Sequence, residues 1–180
     1  MGSHHFETLR RVVIDASKGS SWAKAVREWQ VTGVEEDPTS TGSCVCGKNN
    51  LRYLYQIENH HTGGALFPIG SVCVNLFEVK TLKRDVKVLR RLFDLRAAFT
   101  AHRRVELKDG HFTRNVLADL WENGAFPDNR YNRENGENDY KFLLDLFNRQ
   151  RPPTANERKK VWALINRTIR PFVLQDDRLK

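Results

Sequence analysis

Apolar and polar positions alternate along residues 51–58, which predicts a β-strand with one buried face. The apolar face consists of Leu51, Tyr53, Tyr55 and Ile57. The glycine-containing segment NHHTGG predicts a turn, and residues 65–69 predict the return strand of a hairpin. Pro68 places that strand at a sheet edge, because proline cannot donate a backbone hydrogen bond to a neighbouring strand. A further short strand is predicted at 30–34.

Other segments show the three- and four-residue spacing of helices. Residues 6–16 fit a short helix or a strand, and a helix from Ser21 would bury both Trp22 and Trp29. The remaining predicted helices all carry an apolar stripe. They begin at Ser71, span 81–104, begin after the N-cap Thr113, run through 140–147, and begin at a capping box of Thr154 and Glu157 before ending at Pro171.

The three cysteines lie on either side of the hairpin. Cys44 and Cys46 precede it, and Cys73 follows it in the first turn of the helix that begins at Ser71. A hairpin returns the chain to its own start, so Cys73 can reach the other two thiols. This order is that of a treble-clef zinc finger, and thiolates are zinc ligands. The sequence therefore predicts a Zn²⁺ site, with three buried apolar thiols as the alternative.

A fourth zinc ligand is harder to locate. The position one turn after Cys73 is occupied by Leu76 or Phe77, neither of which binds metal. His111 is predicted to complete the set by folding back from the second half of the chain, with His102 or water as alternatives.

The other histidines are poorer candidates for this zinc site. His60 and His61 lie at the far end of a strand that is eight residues long, roughly 25 Å from the first two cysteines. His4 and His5 belong to the opening MGSHH, which resembles the remnant of an expression tag, so neither is predicted as a ligand.

The net charge of +8 is unevenly distributed. Residues 1–80 contain eight basic and eight acidic side chains, whereas 81–180 contain 22 basic and 14 acidic ones. A localised basic surface is typical of nucleic-acid-binding proteins, although a solvated helix face would look the same. Tyr131, Asn132 and Arg133 are additional loop candidates for contacts with bases. The predicted phosphate contacts are Lys83, Arg84, Lys87, Arg90, Arg91, Arg149, Arg151, Arg158, Lys159 and Lys160.

The composition sets outer bounds on the class of protein. The apolar content of 39% and aromatic content of 10% indicate a folded chain. No apolar run approaches the ~20 residues that span a bilayer, and the cysteine pattern does not fit a secreted disulfide framework. We therefore expect a cytoplasmic protein without a membrane partner. The sequence indicates no small-molecule substrate, since it lacks a phosphate-binding loop and the common catalytic motifs.

The segments CVCG, YQIENHHTGG and IGSVCVNLF resemble a loosely defined set of bacterial, phage and large-virus proteins. That set shares C-x-C-G, an I-x-N-x-x-T-G turn and G-S-x-C followed by an apolar residue and Phe. The segments FTRNVLADLWENGAFPDNRYN and DYKFLLDLFNRQRPPTANERKKVWALI resemble the same set. The resemblance implies no activity. It implies a histidine after C-x-C-G, where this chain has Lys48.

Together these features predict an α+β fold in which a treble-clef-like zinc β-hairpin lobe, residues 6–80, packs on a mainly helical domain, residues 81–175. The predicted function is non-enzymatic binding of DNA or RNA by a zinc-containing protein of phage or mobile-element type. One alternative is a protein-interaction or anti-defence factor with a structural zinc. The other is an enzyme resembling the ββα-metal nucleases of HNH type, in which His60 or His61 is the general base and Asn75 orients.

Overall fold

The computed structural model describes residues 3–180 and, from residue 4 onward, their side chains. The chain has a mixed α+β structure with a three-stranded antiparallel sheet and several helices, which confirms the predicted fold class. Two compact units are present. The first extends to Leu89 and includes the C-terminal segment Asp177–Lys180, and the second is Arg90–Asp176.

The sheet of the first unit has the strand order β1-β2-β3, and every pairing is antiparallel. The strands are β1 (Trp29–Glu36), β2 (Tyr53–Asn59) and β3 (Ala65–Ile69). Tyr55 of β2 lies opposite Val34 on one side and Ile69 on the other, and all three are buried. β3 is an edge strand, as Pro68 predicted. On the far side, Leu179 forms a parallel bridge with Val34 and extends the sheet.

Among the described residues, four α-helices of the first unit precede or follow these strands along the chain. They are α1 (Ser3–Asp15), α2 (Trp22–Ala25), α3 (Ser71–Asn75) and the start of α4 (Lys80–Thr100). The helix predicted to reach Trp29 was wrong, because α2 ends at Ala25 and Trp29 begins β1. Hydrogen bonds of Glu28 and Trp29 with the loop before α2 explain why the helix stops short of Trp29. The Glu28 carboxylate accepts backbone N–H groups from the preceding turn, and the indole of Trp29 donates to Ser17 Oγ at 2.9 Å.

The second unit is helical. It contains the rest of α4, then α5 (Arg114–Glu122), α6 (Glu137–Asn148), α7 (Ala155–Ala163), a π-helical segment (Leu164–Ile169) and α8 (Arg170–Gln175). The N-caps predicted at Thr113 and Thr154 are confirmed, whereas the N-cap of α3 is Gly70 rather than Ser71. The backbone N–H of Val116 donates to Thr113 Oγ1 at 3.1 Å, and Thr154 and Glu157 form a reciprocal capping box.

The predicted helix end at Pro171 was wrong. Pro171 occupies the first turn of α8, and the helical path continues to Gln175. A proline removes one backbone donor and crowds the preceding turn, and the π-helical segment immediately before it supplies a wider turn.

The boundary between the units lies inside α4 rather than at its start. Leu82 and Leu89 are buried in the first unit, and Leu92 and Leu95 are buried in the second. The charge balance of the sequence changes at residue 80, where α4 begins. The apolar stripe of α4 continues past Leu89 without a break. The two units divide α4 between Leu89 and Arg90, and the assignment of domains 6–80 and 81–175 stays a prediction.

Candidate metal centre and basic surface

A tight turn brings Cys44 and Cys46 to the end of β3. The backbone N–H of Cys44 donates to the Lys48 carbonyl at 2.8 Å, and that of Gly47 donates to the Cys44 carbonyl at 2.7 Å. Gly47 has a φ of 84°, a left-handed conformation that glycine adopts at little cost. Val45 N–H donates to the Pro68 carbonyl at 2.9 Å, so the turn is anchored on the edge strand.

The three thiols form one buried cluster. Cys73 Sγ lies 3.6 Å from Cys44 Sγ and 3.4 Å from Cys46 Sγ, and each cysteine is at most 5% exposed. All three ligand atoms lie within 4.8 Å of one another, and none is in a disulfide. Thiolates bound to one tetrahedral zinc at about 2.3 Å would be about 3.8 Å apart. The cluster could therefore hold a metal ion, and its spacing fits one that takes sulfur ligands.

Backbone donors surround the sulfur atoms. Cys44 Sγ accepts the backbone N–H of Gly70 at 3.4 Å and that of Cys46, while Cys46 Sγ accepts the N–H of Lys48. The thiol of Cys73 and these amides lower the pKa of Cys44 to about 5. The pKa of Cys73 is raised because its neighbour Cys44 takes the negative charge, and burial raises the pKa of Cys46. The cluster thus favours one thiolate at neutral pH, and a cation is needed to stabilise three.

His5 lies beside this turn, which the sequence reasoning did not consider because of the tag-like opening. Its Nδ1 is 2.9 Å from the carbonyl oxygen of Cys46, and its side chain is half-buried on α1. Met1 and Gly2 lie outside the described residues. A histidine bonded to the carbonyl of a ligand residue holds the ligand loop in place, as outer-shell groups do around metal sites. The sequence offers no local signal for this contact, because 41 positions separate the two residues.

Among the described residues, the group of three or more metal-ligating side chains that the structure brings together contains no histidine. The predicted ligand His111 lies in the turn before α5, in the second unit, and its backbone N–H bonds Asp109 at 3.1 Å. His102 is also in the second unit, and its Nδ1 lies 3.0 Å from Arg170 Nη2. The assignment of a fourth ligand to either histidine stays a prediction.

His60 and His61, the candidates for a nuclease base, are exposed at the tip of the β2–β3 hairpin with their rings 4.2 Å apart. Asn75 is exposed at the end of α3. The sequence NHHTG is accounted for by the turn itself, because buried Asn59 accepts the N–H groups of His61 and Thr62 at 2.8 and 3.0 Å.

The amide of Asn59 also serves the interior of the first unit. Its Nδ2 donates to the Glu28 carboxylate at 2.9 Å, and that carboxylate also accepts Lys18 N–H at 2.8 Å and Gly19 N–H at 2.7 Å. The Asn59 amide and the two backbone donors lower the pKa of Glu28 below its ordinary value. The asparagine of the I-x-N-x-x-T-G turn therefore connects the hairpin tip to the loop before α2.

The predicted phosphate-binding residues fall into two classes, and the first is committed to internal contacts. Arg149 pairs with Glu157 at 2.7 Å and with Asp145. The backbone N–H of Thr154 and the hydrogen bond from Arg149 lower the pKa of Glu157 to about 2. Lys160 pairs with the buried Asp139 at 2.8 Å. Three further members also have internal partners. Arg84 bonds Asp85 at 3.0 Å, Arg90 bonds Asp94 at 3.1 Å, and Arg91 donates to the Gly110 carbonyl.

The second class is available to an external anion. The side chains of Lys87, Arg151 and Lys159 are exposed and, within the described residues, make no hydrogen bond or ion pair. The side chain of Lys83 is half-buried and likewise makes none. The side chain of Arg158 is exposed and donates to the Pro153 carbonyl at 2.7 Å.

Arg151 and Arg158 lie on the rim of a cleft of about 650 Å³ in the second unit. Its walls come from the segment after α4, the Pro152–Pro153 turn, and the helical path of α7 and the π-helical segment. Six lysine and arginine side chains line it against one carboxylate, Glu106, and its floor is apolar. The lysines and arginines are Arg103, Arg104, Lys108, Arg151, Arg158 and Arg170. Sequence reasoning predicted two of them, and the other four have no distinguishing local pattern.

No protein-family model, curated protein or solved structure matches this chain. No helix among the described residues is long and apolar enough to cross a membrane.

Proposed function

We propose that this protein is a non-enzymatic nucleic-acid-binding protein whose first unit is stabilised by a zinc ion. The observation that carries the proposal is the cleft of the second unit, where six lysine and arginine side chains surround one carboxylate. Phosphate groups are the anions that such a surface binds in a chain with net charge +8. Since zinc-binding thiols need a reducing compartment, the cytoplasm is the proposed location.

Zinc is the proposed metal because of the chemistry of its ligands. Three buried thiols with sulfur–sulfur distances of 3.4 and 3.6 Å fit a soft, tetrahedral ion, and calcium or magnesium would require oxygen ligands. When bound, zinc would supply cross-links between the turn of Cys44 and the start of α3. Cys44, Cys46 and Cys73 would hold it, and the backbone amides that face their sulfur atoms would stabilise the thiolates.

The test of nucleic-acid binding uses two matched charge substitutions. Arg151 lines the cleft without an internal partner among the described residues, whereas Lys141 pairs with Glu137 on α6 at 2.9 Å and does not line the cleft. We expect Arg151→Gln to reduce the slope of log Kd against log salt concentration by about 0.7–0.9, the contribution of one phosphate contact. Lys141→Gln should leave the slope unchanged.

Fluorescence anisotropy of a labelled oligonucleotide, titrated at several KCl concentrations, gives both slopes. Equal slopes for wild type and Arg151→Gln would show that the cleft is not part of the binding surface. A wild-type affinity that does not depend on salt would refute phosphate binding altogether.

A further inference from the structure

The basic cleft of the second unit contains an exposed tryptophan. Trp162, on α7, is 57% exposed although its neighbours Leu164 and Ile165 are buried. Tryptophan is usually found at least partly covered, because its large apolar surface gains most from leaving water. An exposed indole inside a concave site therefore indicates a ligand with an apolar or aromatic surface.

The residues around Trp162 favour a ligand that has both a planar face and a negative charge. The Arg167 guanidinium lies over one face of the Trp162 indole, 5.6 Å from the ring centroid, so a planar ligand would stack on the opposite face. The floor of the cleft is formed by Val105, Leu107 and Ile165, which are buried or nearly so. Arg151 and Arg158 lie on the rim. Flat apolar surface inside and cations at the edge match a nucleobase and its phosphates.

The same arrangement distinguishes between forms of nucleic acid. In a duplex the faces of the bases are covered by stacking, so that an indole within a cleft meets only the phosphate backbone. In a single strand each base presents a face on which an aromatic side chain can stack. A cleft of about 650 Å³ lies within the range of sites that enclose small ligands, which is enough for a base with its sugar and phosphate.

We propose that the cleft binds single-stranded nucleic acid, with an unpaired base stacked on Trp162 and the adjacent phosphates bound by Arg151 and Arg158. This inference rests on the proposed nucleic-acid-binding function and specifies its ligand. Lys108 also lines the cleft and adds a positive charge there, and its Nζ donates to the Arg149 carbonyl at 2.6 Å. Gln150 adds a side-chain amide on the same wall.

The experiment compares Trp162→Ala, Trp162→Phe and Tyr131→Ala. Tyr131, an aromatic residue that the sequence predicted to contact bases, is 77% exposed in the loop before α6 and does not line the cleft, so its substitution tests the competing stacking position. The probes are a labelled oligothymidylate of about 16 nucleotides, the upper end of single-strand site sizes, and a mixed-sequence duplex of the same length. Circular dichroism checks that each variant is folded.

We expect Trp162→Ala to weaken binding of the single strand by about 5- to 150-fold, the contribution of one stacked base, and to change duplex binding less than about twofold. The salt slope should not change, and Trp162→Phe should recover most of the affinity. An excess of thymidine monophosphate should compete poorly, since it carries one phosphate.

An equal effect of Trp162→Ala on both probes, or none on either, would overturn the single-strand assignment. A loss caused by Tyr131→Ala instead would also overturn it, because the stacking residue would then lie in the other loop. Strong competition by thymidine monophosphate would overturn it in favour of a free nucleotide. If the protein did not bind nucleic acid at all, the result would differ, because wild type would then show no salt-dependent binding of either probe.

Discussion

Replacing Cys73 by serine is the most informative single change in the first unit. The residue is 2% exposed, and its sulfur contacts both other sulfurs of the cluster. Serine is close to cysteine in shape but more polar, and its hydroxyl is a poor zinc ligand at neutral pH. We expect Cys73→Ser to abolish zinc binding and to destabilise the first unit.

The expected loss follows from the coupling of metal binding to folding. A zinc concentration about a thousandfold above Kd adds about 4 kcal/mol to the free energy of unfolding, and this is lost with the site. For a unit of this size each kcal/mol changes the melting temperature by about 4–8 °C, so a decrease of about 15 °C or more is expected. A hydroxyl left without a partner in a buried position would by itself cost only about 1–3 kcal/mol.

Three measurements separate the metal site from simple burial. Metal per chain is determined by plasma mass spectrometry, and thermal unfolding is followed with and without a chelator. The control is Val72→Ser, which introduces the same residue next to Cys73 at a position that is 52% exposed. The chelator should destabilise wild type and Val72→Ser but not Cys73→Ser.

The reasoning would be refuted if wild type contained no metal and did not respond to the chelator. In that case the thiols would act as small apolar residues, and Cys73→Ala would be tolerated at little cost in stability.

Two further predictions concern groups around the sheet and the cysteine turn. His5→Ala should weaken zinc affinity about tenfold or more, because His5 holds the carbonyl of Cys46, whereas His4→Ala on the exposed neighbour should not. Competition with a chromophoric chelator measures both affinities, and equal values would contradict this role. The folded-state pKa of Glu28 lies below the ordinary 4.5, so its stabilising contribution is present above about pH 4.5 and is lost as the pH falls towards the folded-state pKa. Urea unfolding of wild type and Glu28→Gln across this range should therefore show a flatter pH dependence in the variant, and parallel curves would show that the hydrogen bonds to Glu28 do not affect its titration.

The sequence predicted those features that depend on local pattern. The hairpin, its edge strand, the caps at Thr113 and Thr154, and the position of Cys73 in the first turn of α3 all follow from residues close together in the chain. The clustering of the thiols was predictable for the same reason, because an antiparallel hairpin brings the residues that follow it back to the residues that precede it.

Features that depend on distant partners were not predictable. Trp29 fits the helical spacing of the residues before it, but contacts with the loop before α2 draw it into a strand. Trp162 likewise belongs to the apolar positions of the last predicted helix, yet it is exposed in a cleft.

Charge patterns have the same limitation. Arg151 and Lys160 look equivalent in the sequence, yet Lys160 is paired with Asp139, which lies 21 positions earlier, and Arg151 is available to a ligand. Only the fold distinguishes cations that stabilise the protein from cations that can bind a partner.

Binding of nucleic acid through the cationic cleft is tested most directly by the affinity of wild type for a single-stranded oligonucleotide across a range of salt concentrations. Three to six phosphate contacts predict a slope of about −2 to −4 for log affinity against log salt concentration. An affinity that is absent, or constant from low to physiological salt, would contradict the account.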